Sequence, residues 1–263
     1  MKKELLDERF IVTDEMAGNT DYDRCLFTWE RLFIPFFLNN VSFEKAGYHL
    51  IGYPKGKNIK FGDDDLVYIS GDTLFNFKDN LGTASHQKYE YYRSLIIKDL
   101  SGEKQERYLA KLDECRRMHH SILNFALMPQ TGGMNNFKGS VFDSIGHSLD
   151  RLDVLVYHLF SYYEDKSRTE LFSRAYYRSR ELQTTRLKAF LNIFDTGDPL
   201  ESTFNFCKVM FKVSDSKSGL CFVKRLIESG KKPITTGDDV VNYMGLAEEY
   251  WTMKYELITG TNG

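Results

Sequence analysis

Cysteine, proline, long apolar runs and an excess of charge of either sign are all scarce in this chain. The four cysteines, Cys25, Cys115, Cys207 and Cys221, are scattered over 263 residues with no CxxC pair. That spacing excludes the dense disulfide framework of small secreted domains and predicts reduced core thiols. No stretch approaches the ~18 uninterrupted apolar residues of a membrane-spanning helix. The charged opening "MKKELLDERF" has no apolar run behind it, so it does not read as a signal peptide. A cytoplasmic protein with no membrane partner is therefore expected. The formal net charge is −2, so any attraction to nucleic acid must come from a local patch. Missing too are GxGxxG, GxxxxGK[ST], GxSxG and HExxH, which removes the common nucleotide-binding, hydrolase and zinc-protease signatures.

What is present suffices for a packed core: 42% of the residues are hydrophobic and 14% aromatic. No repeat, low-complexity run or Pro/Gly/Ser-rich linker divides the chain, which predicts a single domain over residues 1–263. Its texture changes near residue 80. Before it, "AGYHLIGYPKGKNIKFGDDDLVYISGDTLFNF" alternates turn residues with short Tyr, Ile, Val and Phe runs, the pattern of short strands. After it the period is helical. The expected fold is α+β and mainly helical, with a β-containing part over about 1–80 packed on a helical part over about 81–263.

Within the second part, Leu109, Leu112, Cys115, Ile122 and Phe125 recur at helix spacing after Ser101, predicting a helix from about Glu103 to Ala126 that Pro129 ends. Phe142, Ile145, Leu149, Leu152, Val156, Leu159 and Tyr163 alternate three and four apart and predict a long amphipathic helix. Ser167 with Glu170 makes a capping-box pattern for a further helix towards Asp195. Pro199 opens a helix through Phe211, "GLCFVKRLIES" reads as helix or strand, and Asp238 is placed to cap a last helix from about Val240 to Leu257.

Three stretches gather ligand-capable residues. In "HHSILNFALMPQTGGMNNFKGS", His120 and Asn124 share a helix face, and the Gly132-Gly133 turn would fold the chain into a helical hairpin. On the long helix, Asp143, His147, Asp150, Val154 and His158 fall opposite the apolar stripe with Arg151 at their edge, carboxylates and imidazoles that suit acid–base work or a divalent metal. An ordinary solvated face would look the same. In "SRTELFSRAYYRSRELQTTRLK", Arg174 and Arg178 share a face that could clamp a phosphate. The acidic run "GDDDL" from Gly62 to Leu66 reads as a turn, with three consecutive carboxylates giving only a weak signal for a cation site.

Taken in order, "ISGDT", "HSILNFALMP", "NNFKG" and "DRLDVLVYHLFSYY" resemble a bacterial family known only as a domain of unknown function. That family has a Ser-Asp pair in a strand-like segment, a His-Ser/Thr-Ile-Gly stretch, an Asn/Arg/Gly loop and an Asp-Arg-aromatic-Asp-Leu helix. Leu123 stands where the family has Gly, and Lys138 near where it has Arg. A looser similarity links "HSILNFALMP" and "NNFK" to the C-terminal half of HNH-type nucleases, without their upstream Asp-His-Ile-x-Pro element. These resemblances and the residue pattern together point to a site at His120, Asp150 and Arg151 with Asn124, Asn136 and Lys138 as binding residues, while Arg174 and Arg178 are added as binding residues from the arginine-rich stretch alone. Two readings follow. One is a phosphate-substrate enzyme, a nuclease or toxin-like effector in phage defence, with a nucleic acid or nucleotide as partner and a divalent metal as cofactor. The other is a noncatalytic structural protein that binds a protein partner.

Overall fold

The computed structural model describes residues 1–38, 50–51, 59–61, 67–79, 88–132, 135–141, 150–174 and 180–261. The fold is α+β and mainly helical. Five antiparallel strands form one sheet in sequence order: β1 (Leu50–Ile51), β2 (Ile59–Phe61), β3 (Tyr68–Thr73), β4 (Phe125–Gly132) and β5 (Asn135–Asn136). The helices are α1 (Asp14–Ala17), α2 (Leu26–Thr28), α3 (Lys88–Asp99), α4 (Gly102–Arg117), α5 (Phe137–Ser140), α6 (Leu152–Glu164), α7 (Arg180–Asn192), α8 (Pro199–Met210), α9 (Lys217–Gly230) and α10 (Gly237–Thr259). A π-helix, Trp29–Leu38, continues directly from α2.

The β structure is not confined to the first 80 residues, because β4 is the longest strand among the described residues. Where the spacing predicts helix to Ala126, the chain leaves α4 at Arg117, makes two 3-10 turns and enters the sheet at Phe125. The physical reason is burial on both faces. Phe125, Ala126, Leu127 and Met128 are all fully enclosed, and a continuous short apolar run carries no periodicity that separates a buried strand from a buried helix. Pairing decides it: Thr73 to Ile69 lie opposite Phe125 to Pro129 in unbroken register. Pro129 sits inside the strand rather than ending a helix, so no helical hairpin forms.

The long helix also differs from its expected form. α6 begins at Leu152 and is buried nearly all round, with Val154 and His158 enclosed along with Leu155, Val156 and Leu159. It packs on α8 and α9, and the fit against α9 is close enough that a Cβ at Gly230 would come within 2.1 Å of the Asp153 carbonyl oxygen. Phe142, Asp143, Ile145, His147 and Leu149 lie outside the described residues. Ser167 and Glu170 make no capping box. Asp165 accepts from the Ser167 amide and hydroxyl, and Glu170 accepts from Arg168. α8 starts at Pro199 with Asp198 capping the Glu201 amide. The ambiguous "GLCFVKRLIES" is helical, and α10 is capped by Thr236 and Asp239 in a reciprocal box rather than by Asp238.

One buried cluster joins strands and helices, with Phe75, Phe77, Tyr92, Tyr243 and Trp251 in mutual ring contact at its centre. Cys25, Cys115 and Cys207 are buried free thiols, whereas Cys221 is exposed, contrary to expectation. No helix among the described residues is long and apolar enough to cross a membrane.

Candidate functional site

β3 carries the centre of the site. Its Gly71 has no room for a side chain: a Cβ there would lie 2.5 Å from the Phe33 ring and 2.7 Å from the Asp23 carbonyl oxygen. The missing Cβ lets the N-terminal segment lie against the strand and brings Asp23 beside the next residue, Asp72. Asp72 Oδ2 accepts from Asn136 Nδ2 at 2.7 Å and pairs with Lys138 Nζ at 3.4 Å. Asn136 is itself fixed, because its Oδ1 caps α5 at the Gly139 amide. Lys138 also donates to the Thr73 carbonyl oxygen and reaches Asp150 Oδ1 at 3.4 Å. Asp150 Oδ2 in turn accepts from Asn76 Nδ2 at 3.4 Å and lies 3.8 Å from Lys88 Nζ. Two carboxyl groups and two amines thus form a continuous buried chain, Asp72–Lys138–Asp150–Lys88, with both lysines 1% exposed.

The protonation of this chain follows from its geometry. Burial pushes the Asp72 carboxyl up, with Asp150 acting in the same sense, and Lys138 only partly offsets this. Burial acts on Asp150 too, but Lys138 and Lys88 flank it and hold it below the usual carboxylate range. Against its own desolvation, Lys138 is kept protonated by Asp150 and Asp72, while burial draws Lys88 down.

On its other side Asp72 lines a cavity of about 220 Å³. Asp21, Tyr22 and Asp23 form one wall, and Thr73 and Phe125 border the sheet. His119 and His120 complete the lining. Burial, reinforced by Asp72, pushes the Asp23 carboxyl up to about 7. His120 stacks on Tyr22 with ring centroids 3.7 Å apart, and the Tyr22 hydroxyl donates to Asp14. Burial and the nearby Lys78 push the His120 imidazole down to about 4, so it is neutral at physiological pH. His119 is 8% exposed, its Nδ1 has no hydrogen-bond partner among the described residues, and burial with His120 beside it holds it neutral as well.

The expected site residues divide sharply. His120 is in the cavity lining, and Asp150 is linked to the cavity through Lys138 and Asp72 rather than touching His120. Asn136 and Lys138 position Asp72. Arg151 turns the other way: its Nε and Nη2 make a fork to Asp153 at 2.9 and 2.5 Å, and it donates to the Lys232 and Ser229 carbonyls at 3.0 Å. It is a fastener between α6 and the end of α9 and does not line the cavity. Asn124 is fully used within the core. It accepts from the Phe75 amide and Trp251 Nε1 and donates to the Phe75 and His119 carbonyls. No group is left for a ligand, and its role is to hold His119 at the cavity. Arg174 is exposed and does not line the cavity, and Arg178 and the "GDDDL" run lie outside the described residues. No group of three or more His, Cys, Asp or Glu among the described residues is placed to hold a metal ion.

Asp23, Asp72 and His119 line the cavity without having been named as site residues from the sequence. Asp72 had a signal, since "ISGDT" places a carboxylate one residue after a strand glycine. Asp23 had none, because its position depends on what packs over Gly71. Comparison of the chain with protein families, curated proteins and solved structures found no match.

Proposed function

We propose that the protein is an acid–base enzyme whose active centre is the cavity between Asp23, Asp72 and the His119-His120 pair, acting on a phosphate-bearing substrate such as a nucleotide or nucleic acid. One observation supports this above the others: two adjacent carboxyls with unlike surroundings share one cavity with two neutral imidazoles. Adjacent carboxyls do not readily ionise together, so such a pair supplies one donor and one acceptor. Lys138 and the Asn136 amide both favour the ionised form of Asp72, which makes it the base. At Asp23 burial and the neighbouring Asp72 outweigh the one nearby cation, Arg24, and raise the carboxyl to about 7, so it is the acid. Neutral His119, with its unpartnered Nδ1, accepts a hydrogen bond from the attacking hydroxyl or water.

The acidic lining disfavours a bare phosphate deep in the cavity. Lys78 does not line the cavity, but it lies near both imidazoles and has no ion-pair partner among the described residues, so it is the cation proposed to attract a phosphate to this face. The test is incubation of the purified protein with RNA, single-stranded DNA and nucleotides, with and without magnesium or manganese. Turnover by the native chain is expected, with a loss of about 10²–10⁴-fold in Asp72→Asn and Asp23→Asn. An intact substrate panel, with both variants folded, would favour the noncatalytic reading.

A further inference from the structure

A second and larger cavity, about 430 Å³, lies where the end of α7 meets α8 and the turn after it, and none of its lining residues belongs to the site above. Ile193, Phe194, Val209 and Val213 make one side apolar, while Thr196, Asn205, Lys208, Lys212 and the Asp215 carboxylate supply the polar side. Lys212 is unusual in its backbone. With φ of +54° it is the one residue other than glycine in the left-handed region among the described residues. The turn closing α8, with the Val213 amide bonded to the Cys207 carbonyl at 3.2 Å, requires that conformation. Glycine or asparagine ordinarily fills such a position because a longer side chain is strained there. Strain kept at a cavity wall points to a use for the side chain.

The charge around Lys212 is also incomplete. Its ammonium lies 5.2 Å from the centre of the Phe37 ring, and Lys254 Nζ lies 4.5 Å from the same ring. Lys254 is fully buried, and among the described residues it has no hydrogen-bond partner and no carboxylate pairs with either amine. Burial draws Lys212 down to about 8, which leaves it mostly protonated at neutral pH. Lys208 is partly occupied by Asp215 at 3.3 Å and stacks on Phe204. The lining thus holds two lysines against the single carboxylate of Asp215, which is engaged by Lys208, so Lys212, backed by a second buried amine, is left without a counter-ion among the described residues.

We infer that this cavity binds a small molecule carrying a phosphate or carboxylate on an apolar body, with Lys212 and Lys208 on the oxyanion and the Ile193, Phe194 and Val209 side on the body. Phenyl phosphate and benzoate serve as probes, with benzyl alcohol as the uncharged control, measured by calorimetry on the full chain. Both anions are expected to bind and the alcohol at least tenfold more weakly. Lys212→Gly should weaken both anions at least tenfold while melting no lower than the native chain, because glycine suits the left-handed turn. Asp215→Asn, which releases Lys208, should tighten them. If Lys212→Gly fails to fold, Lys212→Asn gives the same reading. The inference is overturned if neither anion binds the native chain, if the alcohol binds as well as the anions, or if removing Lys212 leaves their affinity unchanged. Preference for phenyl phosphate over benzoate, or the reverse, assigns the head group.

Discussion

Asp150 and Arg151 are neighbours in the chain and belong to different worlds. Arg151 sits in a closed arrangement in which Asp153 is met by the guanidinium fork, the Ser229 hydroxyl at 2.6 Å and the Val154 amide at 3.1 Å. Asp150 sits in an open one: Lys88 Nζ has no hydrogen-bond partner among the described residues, and the chain of charges ends at a cavity. Both are buried ionic clusters, yet only the first is satisfied throughout. Satisfaction of every lone pair and proton distinguishes a fastener from a site, because a buried charge without partners is kept only where something else requires it.

The largest effect expected from breaking this contrast is on stability. Arg151→Met leaves Asp153 enclosed without its cation and should cost about 3–5 kcal/mol in denaturant unfolding. Lys88→Met removes an amine that burial already disfavours and should change stability by less than about 1 kcal/mol, or raise it. A large loss in Lys88→Met, equal to that in Arg151→Met, would show that the two clusters are alike.

Protonation sharpens the comparison next. Asp23 is raised in the folded chain to about 7, so the folded state holds a proton that the unfolded chain releases near pH 4. Its contribution to stability is therefore fully present below pH 4 and is lost as pH rises through about 7. Asp23→Asn, which imitates the protonated form, should stabilise the protein at pH 8 relative to pH 5, by on the order of 2–4 kcal/mol, in melting curves at the two pH values. Asp150, held low by Lys138 and Lys88, works in the opposite sense: its contribution is present above pH 4 and is lost as pH falls below it, so Asp150→Asn should cost more at pH 7 than at pH 3. The smallest effect is at the surface. Arg174→Ala should shift stability by no more than about 0.5 kcal/mol, and if the chain binds nucleic acid through this segment the salt slope should flatten by about one unit.

Local chemistry made several elements legible from the residues alone. Proline at a first helical position announced α8, and the apolar spacing from Phe142 to Tyr163 announced a helix of which α6 is the part from Leu152 onward. Ser101 marked the start of α4. Boundary residues followed less well, as Thr236 in place of Asp238 illustrates, because a cap is chosen by geometry within a turn that several polar residues could make.

The candidate site was legible in part. "NNFKG" and "DRLD" did supply Asn136, Lys138 and Asp150, and the paired histidines did supply the cavity lining. Their spacing said nothing of Asp23, nor that Arg151 would turn away to Asp153. Those outcomes depend on contacts across long stretches of chain: Phe33 and Asp23 over Gly71, and α9 against α6 at Gly230.

By itself, then, the sequence determined that the protein would be mainly helical with a small sheet, where its polar residues cluster, and that its cysteines would stay apart. Tertiary structure alone decided that "FALMPQTG" is a strand, since an apolar run buried on both faces suits either conformation until a partner strand accepts its backbone hydrogen bonds. It also decided which of two adjacent charged residues became a fastener and which joined the site. A side chain's partners are set by what packs against it, and periodicity along one segment carries no record of them.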